Sequence, residues 1–354
     1  MSGKPTQHMQ NGSRFPATRL RRSRMQAFSR AMMQESLLAA QHLIWPLFVM
    51  DGTADDQPVP AMPGVYRHCI RRLVEQAGEA VSLGIPAIAI FPYLDSKLKD
   101  AEGSEAGNPE NLVCRAVAAV KSAYPSLGII TDVALDPFTD HGHDGVIRPV
   151  ALPRGDGDEH RVENDETVER LCIQALVQAQ AGADIIAPSD MMDGRVAAIR
   201  KTLDENGFAD VIILSYAAKY ASAFYGPFRA AVGAGQTSLV KGKASYQMDP
   251  ANSDEAIREI ALDIAEGADW VMVKPGMPYL DIIQRASVAF DVPVFAYQVS
   301  GEYAMIEAAA ATGSLDGGRA MVESLLALRR AGARGILTYY APRVATILRQ
   351  GALS

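Results

Sequence analysis

Apolar runs, often β-branched, recur along this chain, and each is followed by a stretch whose apolar residues return every three or four positions. The runs are LIWPLFVM (43–50), AIAIFPY (87–93), GIITDVAL (128–135), ADIIAPSD (183–190), VIILSYAAK (211–219), WVMVKP (270–275), PVFAYQVS (293–300) and GILTYYA (335–341). Continuous apolar runs of this length suit strands buried on both faces. Between them, NLVCRAVAAVKSAY, DETVERLCIQALVQAQAGA, SDEAIREIALDIAEGAD and GRAMVESLLALRRAGA carry the helical period. Strands that alternate with helices pair in parallel, so eight such units predict an α/β protein with a closed (β/α)8 TIM barrel. An open doubly wound sheet is the rival, but the G-x-G-x-x-G fingerprint expected after its first strand is absent. The stretch PRGDGDEHRVENDET (153–167) has no period and reads as an exposed insertion.

A barrel of this kind builds its reaction site from the C-terminal ends of the strands and the loops after them. Those positions hold Pro92, Tyr93, Asp132, Asp136, Ser189, Asp190, Lys219, Lys274, Ser300 and Tyr339. Lys219 ends the fifth strand and Lys274 the sixth, so the two amines share one mouth on strands about 4.8 Å apart. In a partly desolvated pocket each disfavours the other's charge, which predicts at least one free amine near neutral pH. Such an amine attacks carbonyls to form a Schiff base. Alternatively, each lysine snorkels outward to its own acidic partner. The segment DVALDPFTDHGHDG (132–145) gathers Asp132, Asp136, Asp140, His141, His143 and Asp144. It reads either as a divalent-metal or proton-transfer site, with oxygen chemistry suited to Mg²⁺ rather than Zn²⁺, or as a hydrogen-bonded acidic loop. Arg229, Lys241 and Lys243 follow Lys219 on a glycine-flanked segment able to act as a lid, with Arg229 suited to a carboxylate.

Composition adds the setting. The chain has 354 residues, 48% hydrophobic and 21% charged, without an apolar run of membrane-spanning length or a signal-peptide pattern. Three scattered cysteines suit a reducing compartment, so a cytoplasmic location is expected. The net charge of −7 hides an asymmetry: residues 1–30 hold Lys4, Arg14, Arg19, Arg21, Arg22, Arg24 and Arg30 and no acid. Such a start could be a transit peptide or a nucleic-acid arm, but it runs without a polar linker into apolar sequence and so favours an arm that docks on an acidic body. Residues 1–38 are therefore expected to form a basic arm for subunit contacts and 39–354 the catalytic barrel. Neither nucleic acid nor membrane is expected as a partner.

Several motifs then fall in order: WPLFVM, AMPGVYR (61–67), HGHDG (141–145), APSDMMDGRV (187–196), SYAAKYASAFYGPFR (215–229), KASYQMDPAN, VMVKPGMPYLDI and YQVSGEYAM (297–305). In these the chain resembles the porphobilinogen synthase (5-aminolaevulinate dehydratase) family from about residue 14 to the end. The resemblance implies a (β/α)8 barrel with an arm that embraces a neighbouring subunit, usually in an octamer. It implies condensation of two 5-aminolaevulinate molecules to porphobilinogen with loss of two waters, in tetrapyrrole (haem) biosynthesis. By that resemblance Lys274 is the Schiff-base lysine of the first-bound molecule and Lys219 serves the second. Ser300 and Tyr339 hold the first carboxylate, and Arg229, Lys243 and Gln247 surround the second. Asp132 lies near the second amine, with Ser189, Asp136 and Asp144 completing the substrate surroundings.

Zinc-using members of that family carry three cysteines where this chain has Ala134, Asp136 and Asp144. A zinc thiolate site is therefore not expected. The pattern resembles instead the aspartate-containing, magnesium-responsive branch. There an activating Mg²⁺ between subunits is held by a helix glutamate, here Glu259, with Asp193 as a supporting acid; no organic cofactor is implied. Two other readings remain at this stage: a Schiff-base aldolase with a phosphate loop after strands seven and eight, and a non-catalytic barrel kept for assembly.

Overall fold

Eight parallel strands close into a ring: β1 (Leu43–Met50), β2 (Ala87–Tyr93), β3 (Gly128–Val133), β4 (Ile185–Pro188), β5 (Ile212–Lys219), β6 (Trp270–Lys274), β7 (Val294–Gln298) and β8 (Gly335–Thr338). Closure is explicit in the pairing of β8 with β1, Leu43 opposite Ile336 and Ile44 opposite Leu337. The computed structural model describes residues 14–53, 55–151, 158–234 and 240–350. β1 and β2 have the predicted bounds. β3, β4, β6, β7 and β8 end short of theirs, because the last residues of those runs leave the hydrogen-bonded ladder to build the mouth. Helices flank the strands as the period predicts, among them Leu112–Ala123, Asn164–Gln180, Asp254–Ala265 and Gly317–Ala331. Side-chain caps start two of them, Asn111 accepting from Cys114 N at 2.9 Å and Asp316 from Arg319 N at 3.0 Å.

Two local expectations are corrected. The stretch at 153–167 is not an aperiodic insertion throughout: Asp158–Val162 pairs antiparallel with Ile147–Ala151, and the helix Asn164–Gln180 starts within it. The strand DEHRV carries no apolar run, which hid the hairpin. Its inner strand is tied down by Arg148, which reaches Glu102 at 2.8 Å and Glu166 at 2.6 Å. The part of that loop at 152–157 lies outside the described residues. A short strand, Tyr66–His68, also joins the top of β1, with Arg67 opposite Phe48. It brings a basic side chain to the rim of the barrel.

The arm is described from residue 14; residues 1–13, with Lys4, lie outside. A 3-10 turn (Leu20–Arg24) and a short helix (Ala27–Met32) bury no residue. Phe15, Leu20, Phe28 and Met32 are exposed. No helix among the described residues is long and apolar enough to cross a membrane. After β5 the chain makes a 3-10 turn (Ala223–Tyr225) and a seven-residue helix, Gly226–Val232, that caps the C-terminal end of the barrel.

Candidate active site

Lys219 and Lys274 are direct ladder partners on β5 and β6, and both are buried. The β5–β6 register shifts by one residue between Ser215 and Ala218, where β5 carries an extra residue. That bulge matters, because strict alternation would send Tyr216 and Lys219, three apart, to opposite faces. With it, both reach the interior. The Lys274 ammonium nitrogen lies 4.9–5.2 Å from the ring centres of Tyr216, Tyr225, Phe228 and Tyr297. It has no carboxylate within ion-pair distance among the described residues. Burial in this aromatic box, reinforced by the Lys219 charge, pulls the Lys274 amine from its ordinary 10.5 down to about 7 against the opposing Asp132, Asp136 and Asp144. Lys219 is placed differently: its Nζ donates to Asp144 Oδ1 at 3.4 Å and to the Ser189 carbonyl. One amine is thus charge-paired and the other is not.

Carboxylates line the opposite wall. Burial and the Asp136 charge raise the Asp132 carboxyl to about 7, the two lysines and the Ser189 hydroxyl opposing them. Gln178, fully buried on the helix behind β3, donates to the Asp132 carbonyl at 3.1 Å and fixes that strand end. Lys243 bridges Asp136 at 3.3 Å and Asp144 at 3.1 Å. Although burial pushes the Asp144 carboxyl up, Lys219 and Lys243 outweigh it and hold it well below the usual carboxylate range. Asp132, Asp136, Ser189, Lys219, Arg229, Lys243, Gln247 and Lys274 line one cavity with Tyr225 and Phe228. Its volume is only 30 Å³, space for a water or two. Gln247 Oε1 is buried there without a hydrogen-bond partner among the described residues.

Ser300 and Tyr339 lie outside that cavity. Ser300 Oγ accepts from Phe228 N at 2.9 Å, and the Tyr339 hydroxyl pairs with that of Tyr297 at 2.9 Å. The Phe228 ring, packed 5.7 Å from Phe48 and 5.2 Å from Phe91, fills the barrel mouth near them. Asp190, expected at the mouth, turns away: its Oδ1 accepts from Met192 N at 2.7 Å and its Oδ2 lies 3.5 Å from buried Arg195. Its role is to shape the turn that presents the Ser189 carbonyl.

An unpaired amine of lowered pKa, an apolar wall around it and a carboxyl able to give or take a proton near pH 7 can together convert a ketone to an iminium. The comparisons give that chemistry a family. The family model described as Delta-aminolevulinic acid dehydratase matches residues 17–347. The chain belongs to the delta-aminolevulinic acid dehydratase family. A relative of that name from Bradyrhizobium diazoefficiens is 59% identical over 94% of this chain and 91% of its own. One from Rhodobacter capsulatus is 50% identical over 94% and 97%. The solved delta-aminolevulinic acid dehydratase of Toxoplasma gondii, in complex with the reaction product porphobilinogen, superposes with a TM-score of 0.87. It is 46% identical and covers 93% of this chain and 91% of that one.

Sequence reasoning placed the two lysines side by side, as they stand in the fold, but missed the aromatic box. Tyr216, Tyr225, Phe228 and Tyr297 read as core residues, and only the β5 bulge turns Tyr216 toward Lys274. It also missed Glu302, fully buried, whose carboxylate accepts from the backbone N–H groups of Gly276, Met277 and Val299. It ties the turn after Lys274 to the turn before Ser300. With the Lys274 amine titrating near 7, kcat/KM is expected to rise with pH through about 7 and to level off above it, and a pH–rate profile in Schiff-base-inert buffers checks this.

The expected metal residues sit elsewhere, on the outer side of the barrel. Glu259, half-buried on Asp254–Ala265, is raised by burial and by Asp263, Asp193 and Glu255, against Arg195. It makes no hydrogen bond or ion pair among the described residues. A lone half-buried carboxylate among like charges is a group that a hard cation would relieve, so the donors present fit Mg²⁺ held largely through water. Among the described residues no cluster of three or more His, Cys, Asp or Glu forms a ready-made metal cage.

Proposed function

We propose that this dehydratase is a lyase that condenses two 5-aminolaevulinate molecules to porphobilinogen, with loss of two waters, in tetrapyrrole (haem) biosynthesis. The observation that carries the proposal is the unpaired Lys274 amine in its aromatic box, beside a second, charge-paired lysine. Lys274 adds to the ketone of one substrate and expels water to give an iminium, an electron sink for bond formation with the second. Lys219 receives the second substrate, with Asp132 exchanging protons near its amine. Arg229, Lys243 and Gln247 are assigned to the second carboxylate, Ser300 and Tyr339 to the first. Both substrates bear a carboxylate, so a site rich in fixed cations suits them. An aldolase acting on a sugar phosphate fits less well. The helix N-terminus after β7, where a phosphate would dock, is already taken by the Glu302 carboxylate.

Further parts of the proposal concern the assembly. Glu259, supported by Asp193, would hold Mg²⁺, which would supply electrostatic stabilisation between subunits rather than chemistry at the lysines. Homo-octamer formation through the arm is supported by its exposed Phe15, Leu20, Phe28 and Met32, which need a partner surface. The free cysteines, Cys69 and Cys114 buried, support a cytoplasmic location. A porphobilinogen assay tests the whole, run with EDTA and then with Mg²⁺ or Zn²⁺ restored. Turnover, lowered by EDTA and restored by Mg²⁺, is expected. No product from folded protein would refute the function, and rescue by Zn²⁺ alone would refute the metal.

A further inference from the structure

The cap helix Gly226–Val232 has seven residues, too few to be helical unaided, and its ends carry backbone groups without intrahelical partners. The barrel supplies those partners. At the N-terminal end Phe228 N–H donates to Ser300 Oγ at 2.9 Å. At the C-terminal end Arg67 donates from Nε to the Ala231 carbonyl at 2.7 Å and from Nη2 to the Ala230 carbonyl at 2.6 Å. Lys99 Nζ donates to the Gly233 carbonyl at 2.7 Å. Two cations at a helix C-terminus also face the negative end of its dipole.

The placement of these groups is built into the barrel. Arg67 belongs to the short strand beside β1, and Tyr93 ends β2 opposite Met50. The Arg67 guanidinium lies 3.9 Å over the Tyr93 ring, which holds the fork flat. Gly233, at φ +61°, completes the fit, since a Cβ there would meet the Tyr93 ring at 2.8 Å. The same helix carries Phe228 over Lys274 and Arg229 into the cavity. What grips its C-terminal end therefore fixes both.

We propose that Arg67 and Lys99 are positioning residues, which clamp the C-terminal carbonyls of the cap helix and so hold Phe228 and Arg229 over Lys274. This rests on reading the mouth as the dehydratase site. With the clamp weakened, the closed population falls, and apparent affinity falls with it.

The test uses the full-length protein with Arg67→Ala, Arg67→Lys and Lys99→Met, and surface Arg71→Ala as control. Hydrogen–deuterium exchange is read over 226–234, and kcat and KM are read for 5-aminolaevulinate. Arg67→Ala is expected to speed exchange in 226–234 and raise KM, each by about tenfold, the scale of one charged hydrogen bond, with a smaller change in kcat. Exchange in the barrel strands should not move. Arg67→Lys, able to reach one carbonyl but not two, should recover part of the loss, and Lys99→Met should show a smaller effect of the same kind. Unchanged exchange in 226–234 for both Arg67→Ala and Lys99→Met would overturn the proposal, as would lower kcat at unchanged KM. Should Arg67→Ala fail to fold, Lys99→Met decides. Exchange reports the clamp without turnover, so an inactive wild-type protein would refute the dehydratase reading and not this one.

Discussion

Lys274→Met is expected to lower turnover by at least ~10,000-fold, the scale of losing a covalent nucleophile, while making the protein more stable. The first half follows from the geometry: among the described residues no other amine sits in the aromatic box, and Lys219 is committed to Asp144 and the Ser189 carbonyl. The second half follows from proton linkage. In the unfolded chain this amine keeps its proton to about 10.5, in the fold only to about 7. Between those values the unfolded chain binds more protons, so native stability rises with pH through that window. At and below pH 7 the full penalty of the buried amine weighs on the fold. Methionine, similar in reach and without charge, removes it. Melting curves at pH 7 should shift upward by a few degrees, and the rise in stability between pH 7 and 10 should flatten. Borohydride with 5-aminolaevulinate should add substrate mass to Lys274 in the wild type and none at that position in the variant. A variant that kept a few per cent of activity would end the Schiff-base assignment.

Lys219→Met is the second large effect, expected to cost about 100- to 1,000-fold in kcat/KM, as loss of a positioned catalytic amine does. Its pH signature separates it from simple damage. Removing the Lys219 charge relieves Lys274 of a like neighbour and frees Asp144 to act on it more strongly. Both changes raise the Lys274 pKa, although burial, the largest cause of its depression, remains. The acidic limb of the rate profile should therefore move above 7, and the deficit should be deeper at pH 6.5 than at pH 9. Asp144 keeps Lys243 at 3.1 Å, so the fold should survive. A limb that stayed at 7 would mean the two amines do not sense each other.

How much of this was legible in the sequence depended on what kind of pattern each part left. The barrel strands announced themselves because a strand buried on both faces must be apolar throughout, and a lysine at its end stands out. The hairpin at 147–162 did not, because a two-stranded ribbon outside the barrel needs no such run. The aromatic box was hidden for a different reason: its members come from β5, β7 and the cap, and the β5 bulge breaks the alternation by which Tyr216 could have been assigned. Asp190 was misplaced because a strand-end acid looks the same whether it faces the mouth or, as here, buried Arg195. Ser300 sits at the predicted strand end, yet its hydroxyl serves the cap helix, a contact between residues 72 apart that no local pattern records.

The 30 Å³ of room at the two lysines has a consequence for traffic. A five-carbon keto acid does not fit in a space that small, nor does a dicarboxylate pyrrole. Entry of each substrate and escape of product therefore require this space to widen, as release of the seven-residue cap helix from the rim would allow. A helix of seven residues is marginal by itself, so release from the rim favours its local unravelling. The slowest step of a cycle is then free to be egress, with the carbon and nitrogen chemistry waiting behind it.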